Sequence, residues 1–326
     1  MKDINKGNLE DWRKIFSQAV LNDIKSLLIK TPFSTTQRKI TKRFSDEYLV
    51  SKMVDTTHWI FLTHYAITGK WRSALPIATV CSMIWAAAHC YDDIVDGDLS
   101  IKWNSKHARA DATMISYIFA SVLTQDRLRK ISIPIKRYKI IQQMISKGLL
   151  NLLSGQMEDL HATGNYKVSL KAVESSVKNR EPWGFFMRLG AEFAGAKPEV
   201  VDAYGVYGDY LGLSGSLAKD YYELHFDPKQ RDLKNGTCTL YLVICMKNMS
   251  RNEKSEFLVT LKSARKSDKA RSLVKKKLSQ GRFFHKTMFM LNQYRAEALE
   301  AIKIAKAPIQ IHEILKHELS QPTYTN

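Results

Sequence analysis

Proline and glycine are too scarce to divide this chain. Eight prolines and 15 glycines are spread over 326 residues, and no Pro-, Gly- or Ser-rich tract marks a linker, so the sequence reads as one domain, 1–326. Strand signals are nearly missing, while Leu, Ile, Ala and Lys recur at helical spacing, which points to an all-α bundle. Cysteine is equally sparse. Cys81, Cys90, Cys238 and Cys245 form no CxxC or other metal-type pair, and each lies in a helical segment, so they are read as reduced core residues of a cytoplasmic protein. No secretory signal is visible, because Met1 to Glu10 is polar and charged. No apolar run is seen to reach the roughly 18 residues of a membrane span, so a soluble protein is expected.

Acidic residues are the minority charge. Lys and Arg number 50 against 32 Asp and Glu, a net charge of +18, so an anionic partner is expected: nucleic acid, anionic lipid or a phosphate-bearing substrate. The densest basic stretch, Lys262 to Lys286, also carries Leu273, Val274 and Leu278 at helical spacing. That pattern reads as the solvated face of an amphipathic helix, with peripheral membrane contact left open. No nucleic-acid motif accompanies the charge, and nucleic acid is not expected as a partner.

What is present is helix. Periodicity predicts helices over about 8–28, 46–67, 74–96, 107–124, 133–163, 167–181, 183–195, 198–225, 237–249, 252–279, 282–306 and 308–319, with residues 1–45 forming a peripheral N-terminal helix and loop. Gly69 marks a break. The segment 74–96 is apolar on almost every face until its acidic end, so it is expected at the centre of the bundle.

Three polar clusters interrupt this apolar pattern. The first, Asp92-Asp93-Ile94-Val95-Asp96, closes the central helix. Asp92 and Asp96 are i and i+4, so their carboxylates share a face and can hold hard cations, while Asp93 points away to orient or support. Mg²⁺ favours few protein carboxylates completed by phosphate oxygens and water, which this spacing offers. The second cluster is Lys219-Asp220-Tyr221-Tyr222-Glu223, in which Asp220 and Glu223 are i and i+3. Alone it reads as a surface helix, and its force comes from having a partner. The third, Gly155-Gln156-Met157-Glu158-Asp159-Leu160, ends another long helical segment and alone is routine.

In this order the three clusters resemble the trans-prenyltransferase, or polyprenyl diphosphate synthase, superfamily. There DDxxD is the first aspartate-rich motif, GQxxDL follows it, and a second acidic motif comes later, here Asp220 and Glu223. A family lysine twelve residues before Gly-Ala is similar to Lys178, before Gly190-Ala191. The downstream family stretch is similar to Asp232, Leu233, Lys234, Gly236, Thr239 and Leu240. The resemblance covers about residues 60–245. The arginine motifs of members that add isopentenyl diphosphate are absent or displaced: Gly69-Lys70-Trp71-Arg72 stands close before Asp92, and Asp98 to Asn104 offers Lys102 alone. The Asp220-Tyr221-Tyr222 string looks like ComQ-type bacterial enzymes that prenylate a peptide tryptophan. The usual second motif of class I terpene cyclases is missing.

The resemblance implies an isoprenoid synthase bundle of about ten or more helices around a central cavity, and a homodimer. It further implies an allylic prenyl diphosphate substrate and Mg²⁺, three ions with bound diphosphate, held by Asp92, Asp96, Asp220 and Glu223. Asp92, Asp93, Asp96 and Lys178 would be catalytic. Arg72, Gln156, Asp159, Lys178 and Lys234 would contact the substrate's polar end, and small Ala87 and Ala88 would leave the tunnel for its hydrocarbon tail open, with Trp85, substrate-facing Phe185 and Phe186 read as cavity caps, cation-stabilising rings or ordinary core. The acceptor stays open between a peptide, a small molecule and none, the last if the enzyme is a cyclase. A non-catalytic partner subunit is a further reading. Isopentenyl diphosphate is expected to be a poor co-substrate.

Overall fold

The computed structural model describes residues 9–53 and 57–320, with side chains at 51–53 left aside. Among the described residues there is no strand. The helices are α1 (Leu9–Lys30), α2 (Thr35–Phe44), α3 (His58–Thr68), α4 (Leu75–Asp96), α5 (Ala108–Tyr117), α6 (Thr124–Arg129), α7 (Ile135–Ala162) and α8 (Leu170–Arg180). They continue as α9 (Trp183–Ala194), α10 (Pro198–Phe226), α11 (Arg231–Asn235), α12 (Leu240–Lys247), α13 (Arg251–Ala264), α14 (Asp268–Leu278), α15 (Gly281–Ala305) and α16 (Ile309–Ser320). Two stretches, Ser45–Met53 and Ile118–Leu123, are wound as π-helix. The chain divides into two compact units, 1–146 with 186–202, and 147–185 with 203–326.

In the first unit α4 is the central element, packed by α1, α3, α5, α6 and both π-helical stretches. Its residues Ile77 to Ala87 are all buried. The helical stretch Arg72–Asp96 spans 25 residues with a mean hydropathy of 1.4 over its most apolar window, enough by length and composition to cross a membrane, which corrects the sequence reading. Yet 72% of that window is buried inside the structure, so the apolar faces are taken up by neighbouring helices. The N-terminal segment also departs from expectation. It is two helices rather than a helix and a loop, and α1 buries Trp12, Phe16, Val20, Ile24 and Leu27. Phe16 stacks on Phe61 at 4.5 Å. Asp23 of α1 joins α4 and α6, accepting from Thr79 Oγ1 at 2.7 Å and from Arg127 Nε at 2.8 Å.

In the second unit α12 is buried along its length from Leu240 to Met246 and packs against α8 and α15. Glycine sets the α9–α10 crossing: a Cβ on Gly208 would lie 2.5 Å from Gly184 N and from the Trp183 carbonyl carbon. Tyr207 donates its buried hydroxyl to the Leu315 carbonyl at 2.8 Å, fastening α16 to α10. The segment expected as one helix over 252–279 is two, because Ser267 caps α14 by accepting from Ala270 N. Ser250 and Glu253 form a capping box at the start of α13. Glu253 also accepts Lys277 Nζ at 2.5 Å and the Arg282 guanidinium. All four cysteines are free and buried, as their spacing suggested.

Candidate active site

The first acidic cluster is the C-terminal turn of α4. Gly97, at φ 77°, ends the helix by donating its N–H to the Asp93 carbonyl, a left-handed conformation that glycine adopts without cost. Asp92 and Asp93 are half-buried and Asp96 is exposed. Tyr48, fully buried in the π-helical stretch, donates its hydroxyl to Asp93 Oδ2 at 2.8 Å. Burial, first of all, pushes the Tyr48 phenol far above its ordinary range, so it stays a donor. Asp93 is thus fixed by a side chain from outside its own helix. The residues after the motif are anchored by Trp103, whose Nε1 donates to buried Glu47 at 2.8 Å. Arg43 lies 5.3 Å from the Trp103 ring centre.

Ala87 is buried and Ala88 half-buried, one turn before the acids. Trp85 meets His89 at 4.3 Å and Phe186 at 6.2 Å, both edge-on. Arg72 is placed elsewhere. It starts the helical stretch that Asp96 ends, so it stands about 30 Å from Asp92 at 1.5 Å per residue. There its guanidinium stacks 4.4 Å from the Trp71 ring centre.

The second unit holds the other cluster. Asp220 and Glu223, on α10, share their surroundings with Asp232 of α11. Burial pushes Asp220 up to about 7, against the Tyr241 N–H that it accepts at 3.2 Å and the charges of Arg180 and Lys219. Asp232 is raised too, by burial first and then by the charges of Asp220 and Glu223. Glu223 has Lys219 Nζ at 3.9 Å. Three half-buried carboxylates gathered together, two of them raised in part by their neighbours' charge, call for a counter-cation. Among the described residues no three His, Cys, Asp or Glu are already arranged as a metal cage. The donor set, acids only with no imidazole or thiolate, fits a hard cation such as Mg²⁺ whose remaining ligands are water and phosphate oxygens.

Lys178 lies over Tyr210, 4.6 Å from its ring centre. Arg180 lowers the Asp220 pKa against the effect of burial and has Nη1 3.5 Å from Asp159 Oδ2. Gly155 allows this approach, since a Cβ there would lie 2.8 Å from Arg180 Cγ. Gln156 is half-buried on the same helix. Phe185 fills the space over Gly148, where a Cβ would lie 2.4 Å from its ring. Lys234 is exposed and lines a hollow of about 500 Å³ with Lys262, Ser263, Arg265 and Lys266. Asp232, Arg180 and Tyr48, which the sequence reading did not single out as site residues, stand beside the expected acids. Asp232 alone had a signal, its place in the matched downstream stretch.

Residues 49–278 match the polyprenyl synthetase family profile. No curated protein matches at a significant level. Among solved structures, the chain is similar to geranylgeranyl pyrophosphate synthetase from Pyrococcus horikoshii, at 15% identity and TM-score 0.81, covering 97% of this chain and 98% of that one. It is similar to heptaprenyl diphosphate synthase from Staphylococcus aureus, at 18% identity and TM-score 0.77, covering 98% and 99%. A third, geranylgeranyl pyrophosphate synthase from Corynebacterium glutamicum complexed with isoprenyl diphosphate and magnesium, has 14% identity and TM-score 0.79, covering 98% and 100%. With most of its length inside the family profile and an all-α isoprenoid synthase fold, the chain belongs to the polyprenyl synthetase family and is a prenyltransferase.

Proposed function

We propose that this prenyltransferase ionises an allylic prenyl diphosphate and passes the prenyl group to an acceptor other than isopentenyl diphosphate. The observation that carries the substrate reading is the half-buried acid cluster of Asp220, Glu223 and Asp232, with Asp220 pushed up to about 7 by burial. Such a cluster is at odds with water exposure alone and suits a metal-bridged anion. Mg²⁺, present in the Corynebacterium relative's complex, would be held by Asp92 and Asp96 on α4 and by Asp220, Glu223 and Asp232. When bound it supplies charge neutralisation to the departing diphosphate.

The chain's own residues do the rest. Tyr48 keeps Asp93 in one orientation. Arg180 and Lys219 offset part of the carboxylate charge. Ala87 and Ala88, being small, leave room for the hydrocarbon tail beside the acidic end of α4. Trp85 offers an aromatic surface for a developing allylic cation.

The acceptor reading rests on the cations. Arg72 is at the far end of α4's helical stretch, and the residues after the DDxxD motif carry exposed Lys102 beside buried Trp103 rather than an arginine pair. A lysine gives a point charge where a guanidinium would grip a diphosphate with two hydrogen bonds. The test is incubation with geranyl, farnesyl and geranylgeranyl diphosphate in Mg²⁺, with and without isopentenyl diphosphate or a tryptophan-containing peptide, followed by mass spectrometry. No conversion of any allylic diphosphate would refute the substrate reading. A cyclic hydrocarbon formed without acceptor would replace transfer by cyclisation.

A homodimer is part of the same proposal. Leu150, Leu153, Met157 and Leu160 on α7 are 64%, 53%, 59% and 44% exposed, at the three-then-four spacing of a helix seam. A second copy of the same helix is the self-complementary cover for such a stripe.

A further inference from the structure

The C-terminal half of the chain is rich in Lys and Arg, and several of these cations have carboxylate partners. Lys277 and Arg282 meet Glu253, Arg271 meets Asp268, and Lys303 meets Glu300. The hollow between α11 and the end of α13 differs. Its lining of Lys234, Lys262, Ser263, Arg265 and Lys266 contains four cations and no acid. Among the described residues none of the four has a carboxylate partner within ion-pair distance. Like charges gathered round one concavity of about 500 Å³ repel one another and raise the local potential for anions.

Arg265 is held in place by the chain beneath it. Gly164 and Gly236 both have left-handed φ, 76° and 81°, and are joined by the Gly164 N–H donating to the Gly236 carbonyl at 2.8 Å. A Cβ on Gly164 would lie 3.1 Å from Arg265 Nη1, and one on Gly236 3.0 Å from Arg265 Cδ and Nε. The side chain therefore lies flat across two turns that carry none of their own. At the same wall the Tyr166 hydroxyl, 3.3 Å from that Gly236 position, is buried and has no hydrogen-bond partner in the fold. Tyr166 is only 3% exposed, so a polar group waits unsatisfied behind the guanidinium.

We propose that this hollow is a phosphate-binding site that works without metal, with Arg265 as its anchor and Lys234, Lys262 and Lys266 closing round the anion. The ligand chemistry is a phosphate or diphosphate group, whether free in solution or as the headgroup of an anionic lipid. The inference is independent of the proposed reaction, because the acidic clusters hold diphosphate only through a cation and this hollow needs none.

The experiment is calorimetric titration of the full-length protein with inorganic diphosphate in excess EDTA at low salt, beside co-sedimentation with phosphatidylglycerol and phosphatidylcholine vesicles. Wild type is compared with Arg265→Ala and with Lys262→Ala/Lys266→Ala, each checked for an unchanged Tm. Saturable diphosphate binding that weakens about tenfold or more in Arg265→Ala supports the site with a free anion as ligand. Binding to phosphatidylglycerol but not phosphatidylcholine vesicles, lost in both variants, supports it with a lipid headgroup. Absence of both, or binding equal in wild type and Arg265→Ala, overturns it.

Discussion

The Tyr48 hydroxyl reaches across 45 residues of sequence to donate a 2.8 Å hydrogen bond to Asp93 Oδ2. The donor sits in a π-helical stretch, whose wider turn changes which side chains face a neighbour. Tyr48→Phe keeps the ring and removes the donor. We expect stability to fall by about 1.5–3 kcal/mol, the net worth of a hydrogen bond to a charged group, and the Mg²⁺ concentration for half-maximal activity to rise. Denaturant unfolding and a metal titration measure the two effects. No change in either would mean that Asp93 needs no orienting partner.

The two acidic clusters are expected to act together on a metal-bound diphosphate. Mg²⁺ plus inorganic diphosphate should raise Tm more than the two separate effects added, and Asp92→Asn or Asp220→Asn should each abolish the excess. Turnover in either variant should drop by about 100-fold or more, as for the loss of a charge-stabilising group. Excess chelator should stop activity altogether. A thermal response in the variants equal to wild type would remove the carboxylates from the site.

Isopentenyl diphosphate should be a poor acceptor. With a farnesyl diphosphate primer, product formation should show no saturation at micromolar isopentenyl diphosphate. Introducing arginine at Lys102 should increase any residual elongation, since a guanidinium binds a diphosphate through two donors. Efficient elongation by wild type would show that other cations grip this substrate.

The exposed α7 stripe should vanish into a dimer. Leu153→Lys/Met157→Lys should shift the mass seen by light scattering from two chains to one without unfolding the monomer, because both side chains are more than half exposed. A wild-type monomer at tens of micromolar would leave the stripe for another partner.

Gly208→Ala should be among the most damaging small substitutions. Its Cβ would fall 2.5 Å from backbone atoms of Trp183 and Gly184, and backbone cannot swing aside as a side-chain tip can, so a loss of about 3 kcal/mol or more is expected. Gly281→Ala is the control. Its nearest neighbour would be His285 Nε2 at 3.8 Å, and Tm should stay level or rise slightly.

What could be read in advance followed the range of each signal. The ends of α4, with Gly69 before it and the DDxxD turn closing it, were visible because helix periodicity and i, i+4 spacing act within a few residues. α2 was missed because Thr35–Phe44 buries only Thr41 and Phe44, and its sign was the local capping box of Ser34 and Gln37. The break between α13 and α14 hid behind continuous apolar spacing, where Ser267 was the overlooked cap. The acids follow the same rule: Asp220 and Glu223 share a helix turn and could be paired from the sequence, whereas Asp232, Arg180 and Tyr48 join them only through tertiary packing.

Glu253 has a consequence for how the C-terminal helices come apart. Its two oxygens accept from the Ser250 N–H, Lys277 and Arg282, so the beginning of α13, the end of α14 and the beginning of α15 meet at a single carboxylate. Fraying at any one of these ends exposes charge at the other two. Three termini that would each open independently are thereby coupled into one unit of local unfolding, and amide protons near residues 250, 277 and 282 should exchange with solvent at matched rates.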